Sequence, residues 1–151
     1  MTLDELDCWL DAYGRAWERH DVDSFVALFR EDAVYQWGPF SEPLRGHDQI
    51  RARAGLADSS QSDVRFRHEP LAITPDGRGV CRWWVKLLLP EEAVVEESEG
   101  IFLVTVGDDG RCSYFQEWWN QHITPARRAS AVPERARGAR AAVATPTARE
   151  D

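Results

Sequence analysis

The chain has 151 residues, 43% hydrophobic and 11% aromatic, which is enough to bury one core and too apolar for full disorder. Its net charge of −8 disfavours nucleic acid as a partner, because such binding depends on neutralising phosphates. No apolar run of 18 residues and no signal-peptide pattern is present, so we expect a cytoplasmic protein without a membrane partner. Three widely spaced cysteines argue against a disulfide framework and against zinc-ligand spacing.

The N-terminal third predicts two helices and a strand. Apolar residues at steps of three and four predict an amphipathic helix over residues 3–19, with the stripe Leu3, Leu6, Leu10, Tyr13 and Trp17. Asp21 or Asp23 then caps a second short helix, whose inward residues are Phe25, Leu28 and Phe29. Residues 33–37 follow as a strand, because they are β-branched and aromatic.

The rest of the chain predicts one more helix and four consecutive strands. Gly38 to Pro43 is a loop, and Gly46 to Leu56 is helical. The strands cover residues 64–73, 80–89, 94–106 and 112–119, with Asp-Gly turns before the second and the fourth. This order predicts an α+β fold in which three N-terminal helices cover a curved, mostly antiparallel sheet. Residues 124–151, rich in Ala, Arg and Pro, are expected to form a flexible tail after a domain of residues 1–123.

Two stretches of the sequence resemble a known family. The segment from Tyr13 to Arg51, with Phe-Arg-Glu-Asp-Ala-Val-Tyr and Pro-Leu-Arg-Gly-His-Asp inside it, is similar to the opening of SnoaL-like proteins of the nuclear transport factor 2-like superfamily. The segment from Gly107 to Trp119 resembles the final hairpin of that group. The resemblance implies a cone-shaped roll with a ligand pocket. Members include polyketide cyclases, ketosteroid isomerases, dehydratases, epoxide hydrolases and non-catalytic binding or dimerisation domains.

Strand alternation and the resemblance together indicate which side chains face the pocket. On the strand over residues 80–89, Arg82 and Lys86 share one face, so the opposite face, with Trp83, points inward. On the last strand the alternation alone allows either parity, and the likeness to ketosteroid isomerases favours Phe115, Glu117 and Trp119. We predict that seven aromatic residues bind the substrate: Trp17, Trp37, Phe40, Trp83, Phe102, Phe115 and Trp119.

Three residues are candidates for catalysis. Tyr13 matches the oxyanion-stabilising tyrosine of ketosteroid isomerases, although its ring could simply pack in the core. Glu117, if it lies among aromatic rings, should have a raised pKa suited to proton transfer; the alternative is an ion pair with Arg82 or another strand arginine. His68 shares parity with Val64 and is a candidate partner of Glu117 or Tyr13, or else an ordinary strand histidine. The two carboxylates of the isomerases fall on Trp37 and Phe102, so steroid isomerisation by their mechanism is not expected.

These features predict a pocket for a hydrophobic, cyclic or polyketide-like small molecule. If the protein is an enzyme, it is a cyclase, isomerase or dehydratase that uses acid–base catalysis without a metal or a cofactor. The alternative is a non-catalytic ligand-binding or dimerisation module of the same fold. Aromatic residues on the outer sheet face, Trp84, Tyr114 and Trp118, favour a homodimer through that face.

Overall fold

The computed structural model of the chain describes residues 1–126. Thr124 and Pro125, which the sequence analysis assigned to the tail, belong to the last strand, and the amide of Ala126 donates to the Ala93 carbonyl at 2.8 Å. The remainder of the predicted tail lies outside the described residues.

Three helices precede or interrupt the strands: α1 (Leu3–Glu18), α2 (Val22–Ala27) and α3 (Gly46–Ser60). Helix α1 begins with a capping box, in which Thr2 Oγ1 accepts from the Glu5 amide and the Glu5 carboxylate accepts from the Thr2 amide. Asp21 caps α2 by accepting from the Ser24 amide at 2.9 Å. In the part of the chain that the structure describes, no helix is both long and apolar enough to cross a membrane.

Six strands form one curved, open sheet: β1 (Phe29–Gln36), β2 (Leu44–Arg45), β3 (Ser62–Ile73), β4 (Gly79–Leu89), β5 (Val94–Val106) and β6 (Cys112–Pro125). Their order across the sheet is β2-β1-β6-β5-β4-β3. The pair β1–β6 is parallel, and the other pairs are antiparallel. The predicted α+β fold with a mostly antiparallel sheet is confirmed. Phe29, however, begins β1 instead of lying on α2, because it pairs with Cys112 across the sheet.

The helices pack on one face of this sheet around a core of aromatic rings. Phe115 lies at its centre, stacked against Tyr35 at 4.5 Å between ring centroids and against Tyr13 at 5.6 Å. Gly14 lets α1 approach β3, because a Cβ atom at this position would lie 2.5 Å from Cδ1 of Phe66. A glycine inside a helix costs about 1 kcal/mol relative to alanine, and here the close contact of helix and strand offsets that cost.

The strand faces agree with the predicted alternation. Trp83 on β4, Phe102 on β5 and Glu117 on β6 are buried under the helices, while Arg82 and Lys86 face away from them. Phe102 lies directly opposite Glu117 in the β5–β6 pairing. Arg82 forms an ion pair with Glu99 at 3.1 Å on the outer face, so the alternative of an ion pair between Arg82 and Glu117 is wrong.

Candidate functional site

One cavity opens between the C-terminal end of α1, helix α2 and the face of α3, and its floor is the inner face of β1 and β6. Its volume is about 90 Å³, space for several water molecules or one compact organic ligand. Most of its wall is apolar, with Val22, Phe25, Leu44, Ile50 and Ala54 among the lining residues. The cavity therefore suits a small molecule that is largely apolar.

Three oxygen-bearing side chains form a hydrogen-bonded chain on the floor. The hydroxyl groups of Tyr13 and Tyr35 lie 3.3 Å apart, and the Tyr35 hydroxyl donates to Oε1 of Glu117, also at 3.3 Å. Both separations exceed the 2.7–2.8 Å that is usual between hydroxyl oxygens and their acceptors. The hydroxyl groups thus hold one another in place weakly and can turn towards an oxygen of a ligand.

The carboxyl group of Glu117 is almost fully removed from water, with the residue only 7% exposed. Burial raises its pKa from 4.5 to about 8, although the hydrogen bond from Tyr35 and the charge of Arg53 act in the opposite direction. The pKa values of Tyr13 and Tyr35 are also raised, first by burial and then by the neighbouring carboxylate. At neutral pH the floor therefore carries a protonated carboxyl group and two neutral phenols.

Arg53 supplies the positive charge in the wall of the cavity. It lies on α3, and its guanidinium carbon sits 4.0 Å from the centroid of the Trp37 ring, within the range of a cation–π contact. Its charge opposes the rise that burial causes in the pKa values of the Glu117 carboxyl and of both tyrosine hydroxyls. A developing negative charge on the floor would be stabilised by the same guanidinium.

Two side-chain links cross the mouth of the cavity. Nδ1 of His20, in the α1–α2 turn, lies 2.9 Å from Oδ1 of Asp58 on α3. The indole N–H of Trp17 donates to Oε1 of Gln61, just after α3, at 2.7 Å. Both links join the end of α1 to the C-terminal end of α3, so they narrow the route by which a ligand would enter.

His68 does not join the predicted catalytic group. Its Nε2 atom lies 3.0 Å from Oδ1 of Asp7 and 3.8 Å from Oδ1 of Asp11, so it links β3 to α1 outside the cavity. The prediction of a pair between His68 and Glu117 is wrong because β4 and β5 separate β3 from β6 in the sheet.

Most of the predicted aromatic wall lies behind the cavity or away from it. Trp83, Phe102 and Phe115 are at most 3% exposed and belong to the core below the floor. Trp37 contacts the site through Arg53, and Trp119 donates from its indole N–H to the Trp37 carbonyl at 3.3 Å. Phe40 is fully exposed in the loop after β1 and is not among the residues that line the cavity. Trp17, Tyr13 and Glu117 do line the cavity.

The sequence analysis missed Tyr35 and Arg53, although a signal for each was present. Tyr35 stands two residues before Trp37, and alternation along a strand puts both on the same face. Arg53 follows Ile50 by three residues and precedes Ala57 by four, which places all three on one face of α3.

Comparisons with known proteins agree with this geometry. The family model described as "SnoaL-like domain" matches residues 10–115, which is more than half of the chain. No curated protein sequence matches the chain. Among solved structures, Rv0760c from Mycobacterium tuberculosis is similar, with a TM-score of 0.71, 13% identity and coverage of 82% of this chain and 99% of that one.

Two further solved structures are similar in fold. The epoxide hydrolase/cyclase-like enzyme SalBIII, described in pyran ring formation in the polyether salinomycin, has a TM-score of 0.68 at 15% identity and covers 79% of this chain and 95% of its own. A protein from Catenulispora acidiphila with a ketosteroid isomerase-like fold, in complex with trimethylamine, has a TM-score of 0.64 at 14% identity. The alignment covers 73% of this chain and 83% of that one. Because the family model covers residues 10–115 and these structures share the curved sheet with helices on one face, the chain belongs to the SnoaL-like family, with the nuclear transport factor 2-like fold.

Proposed function

We propose that the protein catalyses a proton-transfer reaction, namely an isomerisation, cyclisation or dehydration, on a compact and largely apolar small molecule that carries an oxygen. The observation that carries this proposal is the buried Glu117 carboxyl group, which lies at the floor of an open cavity in contact with the Tyr35 hydroxyl. A carboxyl group whose pKa is near the working pH serves equally well as proton donor and proton acceptor.

In a dehydration, protonated Glu117 would donate its proton to the leaving hydroxyl group of the substrate. The Glu117 carboxylate, stabilised by the Tyr35 hydroxyl and the charge of Arg53, would then remove a proton from the adjacent carbon, and an alkene and water would form. In an isomerisation, ionised Glu117 would take a proton from one carbon and return it to another. The Tyr13 and Tyr35 hydroxyls would donate to the substrate oxygen while it gains negative charge.

The solved structures are consistent with this class of reaction. SalBIII is described as epoxide hydrolase/cyclase-like, and the protein from Catenulispora acidiphila as ketosteroid isomerase-like in fold. At 13–15% identity these likenesses concern the fold, so the choice of reaction here depends on the residues of this site.

The elementary step can be tested without knowing the natural substrate. Small cyclic ketones are incubated with the protein in deuterated water, and exchange of the hydrogens next to the carbonyl is followed by proton NMR. We expect exchange above background for the wild type and a loss of about 10²-fold or more for Glu117→Gln. Glu69→Gln, which changes an exposed glutamate on β3, is the matched control and should leave exchange unchanged. Equal exchange in all three proteins would overturn the proposal.

A non-catalytic binding module is the second candidate, and the outer sheet face favours it. That face carries Trp118, which is 40% exposed, and Trp84, whose indole N–H donates to Glu99 at 2.9 Å. If the protein is such a module, we expect it to form a homodimer through this face. Sedimentation equilibrium of the wild type, of Trp118→Arg and of Leu56→Arg on α3 tests the dimer. A dimer lost only in Trp118→Arg supports it, and a monomeric wild type at all concentrations overturns it.

A further inference from the structure

Arg53 is a cation in a mostly apolar wall, and no acid of the described chain forms an ion pair with it. Among the ion pairs of residues 1–126, none includes Arg53, whereas Arg51, two residues earlier on the same helix, pairs with Asp23. The Arg53 side chain is half-buried, and its guanidinium carbon lies 4.0 Å from the centroid of the Trp37 ring. A cation–π contact of this kind leaves N–H groups of the guanidinium available to bind an acceptor.

The other groups of the cavity do not cancel this charge at neutral pH. Glu117 is the acid at the floor, and burial raises its pKa to about 8, so it is mostly protonated at neutral pH. The acids at the mouth are engaged elsewhere, since Asp58 pairs with His20 and Asp21 accepts from the amide and the hydroxyl of Ser24. Both mouth acids are exposed, so water screens their effect on the interior.

From this arrangement we infer that the ligand is a compact organic acid, whose single carboxylate binds the guanidinium of Arg53 and whose apolar body fills the space beside Tyr13, Phe25 and Ile50. The inference deepens the proposed function and rests on it, since it names the substrate class of the same site. A carboxylate suits the site because it can accept two parallel N–H bonds from one guanidinium. A phosphate ester would bring a second negative charge, whereas Arg53 is the one arginine or lysine among the described residues that line the cavity.

This assignment also explains the neutral carboxyl group at the floor. A carboxylate ligand anchored at Arg53 would lie close to Glu117, and two negative charges in a cavity of low polarity would repel each other strongly. A protonated Glu117 avoids this repulsion and donates a hydrogen bond instead. Ligand binding and protonation of Glu117 are therefore expected to favour each other.

Three probes with the same phenyl ring, similar size and different charge test the inference: benzoate, benzamide and benzylammonium. Calorimetric titration at pH 6.5 should give the tightest binding for benzoate. Arg53→Met should weaken benzoate binding by at least about tenfold and change benzamide binding much less, because only benzoate loses the attraction between two opposite charges. Arg53→Lys should recover part of the affinity. Arg51→Met removes the same charge from the same helix and should bind benzoate as the wild type does.

The pH dependence gives a second readout. Benzoate affinity should fall above pH 8 in the wild type and stay level in Glu117→Gln. The charged and titratable groups that face Glu117 or the mouth are Tyr13, Tyr35, Arg53, His20, Asp21 and Asp58. None of these groups is changed in Glu117→Gln, so a difference between the two pH profiles reports on Glu117 itself.

The possible results separate the inference from the proposed function. Benzamide or benzylammonium binding at least as tightly as benzoate would overturn the organic-acid assignment and leave the apolar cavity as a ligand site. Benzoate binding that survives Arg53→Met unchanged would also overturn it. If none of the three probes binds while thermal unfolding and circular dichroism show a folded protein, the assignment falls, whereas the proposed proton transfer is decided separately by the ketone exchange experiment.

Discussion

The Tyr35 hydroxyl donates to Oε1 of Glu117 across 3.3 Å, although the two residues are 82 positions apart in the chain. The contact exists because β1 and β6 are parallel neighbours, with Tyr35 opposite Phe115 and Gln36 opposite Gln116. The carboxyl group and its hydrogen-bond donor therefore come from adjacent strands of the sheet. Their relationship leads to the first two predictions.

The free energy of unfolding should fall as the pH rises from about 4.5 to about 8. Glu117 has a folded-state pKa of about 8 against 4.5 in the unfolded chain, so the folded state binds more protons between these values. Glu117 alone then lowers the stability by up to about 1.4 kcal/mol for each pH unit in this window. Urea unfolding at four pH values checks this. Glu117→Gln should lack this contribution, so identical pH profiles for the two proteins would contradict it.

Tyr35→Phe should raise the pKa of Glu117 further. The Tyr35 hydroxyl stabilises the ionised carboxylate by donating to it, and phenylalanine keeps the ring stacked on Phe115 while removing that donor. Selective carbon-13 labelling of glutamate and NMR titration measure the pKa. Tyr13→Phe is the comparison, since Tyr13 contacts Tyr35 and not Glu117, and a larger shift in that variant would contradict the geometry.

Truncation to alanine should destabilise the protein strongly at Phe115 and hardly at all at Phe40, although both residues were predicted to line the pocket. Phe115 is fully buried between Tyr13 and Tyr35, so Phe115→Ala should cost about 3–5 kcal/mol of stability. Phe40 is fully exposed, and Phe40→Ala should change stability by less than about 0.5 kcal/mol. Chemical denaturation measures both. A strong loss in the Phe40 variant would mean that the loop after β1 packs in solution.

Gln61→Ala should open the mouth of the cavity. It removes the acceptor of the Trp17 indole N–H, and a hydrogen bond of this kind contributes about 0.5–1.5 kcal/mol. Association and dissociation of a bound ligand should both become roughly 2–10-fold faster, with a smaller change in affinity. Stopped-flow fluorescence of the tryptophans measures the rates. Unchanged rates would show that ligands enter by another route.

His68→Gln should leave the ketone exchange and ligand affinity at wild-type values. His68 lies outside the cavity and contacts Asp7, whose side chain is 56% exposed, so the pair should contribute at most about 1 kcal/mol of stability. The exchange assay and thermal unfolding of the same variant test both parts. A loss of exchange comparable to that of Glu117→Gln would restore His68 as a catalytic residue.

The sequence predicted those features that depend on local periodicity. Alternation along β4 placed Trp83 under the helices, whereas on β6 the resemblance to ketosteroid isomerases selected the face that carries Glu117. Contacts between strands that are distant in sequence were not predictable in the same way. His68 was assigned next to Glu117 because parity fixes the face of a residue but not the position of its strand in the sheet. Tyr35 was overlooked for the same reason, since its nearness to Glu117 depends on the parallel pairing of β1 with β6.

The central place of β6 in the sheet has a consequence for synthesis. This strand lies between β1 and β5, yet it is the last of the described strands to leave the ribosome. Until residues 112–125 are available, the rings that contact Phe115, among them Trp9, Tyr13, Phe29 and Phe102, lack their common partner. The unfinished chain would then expose an aggregation-prone aromatic surface to chaperones and to other nascent chains. Truncation before β6 should give inclusion bodies instead of a smaller folded protein.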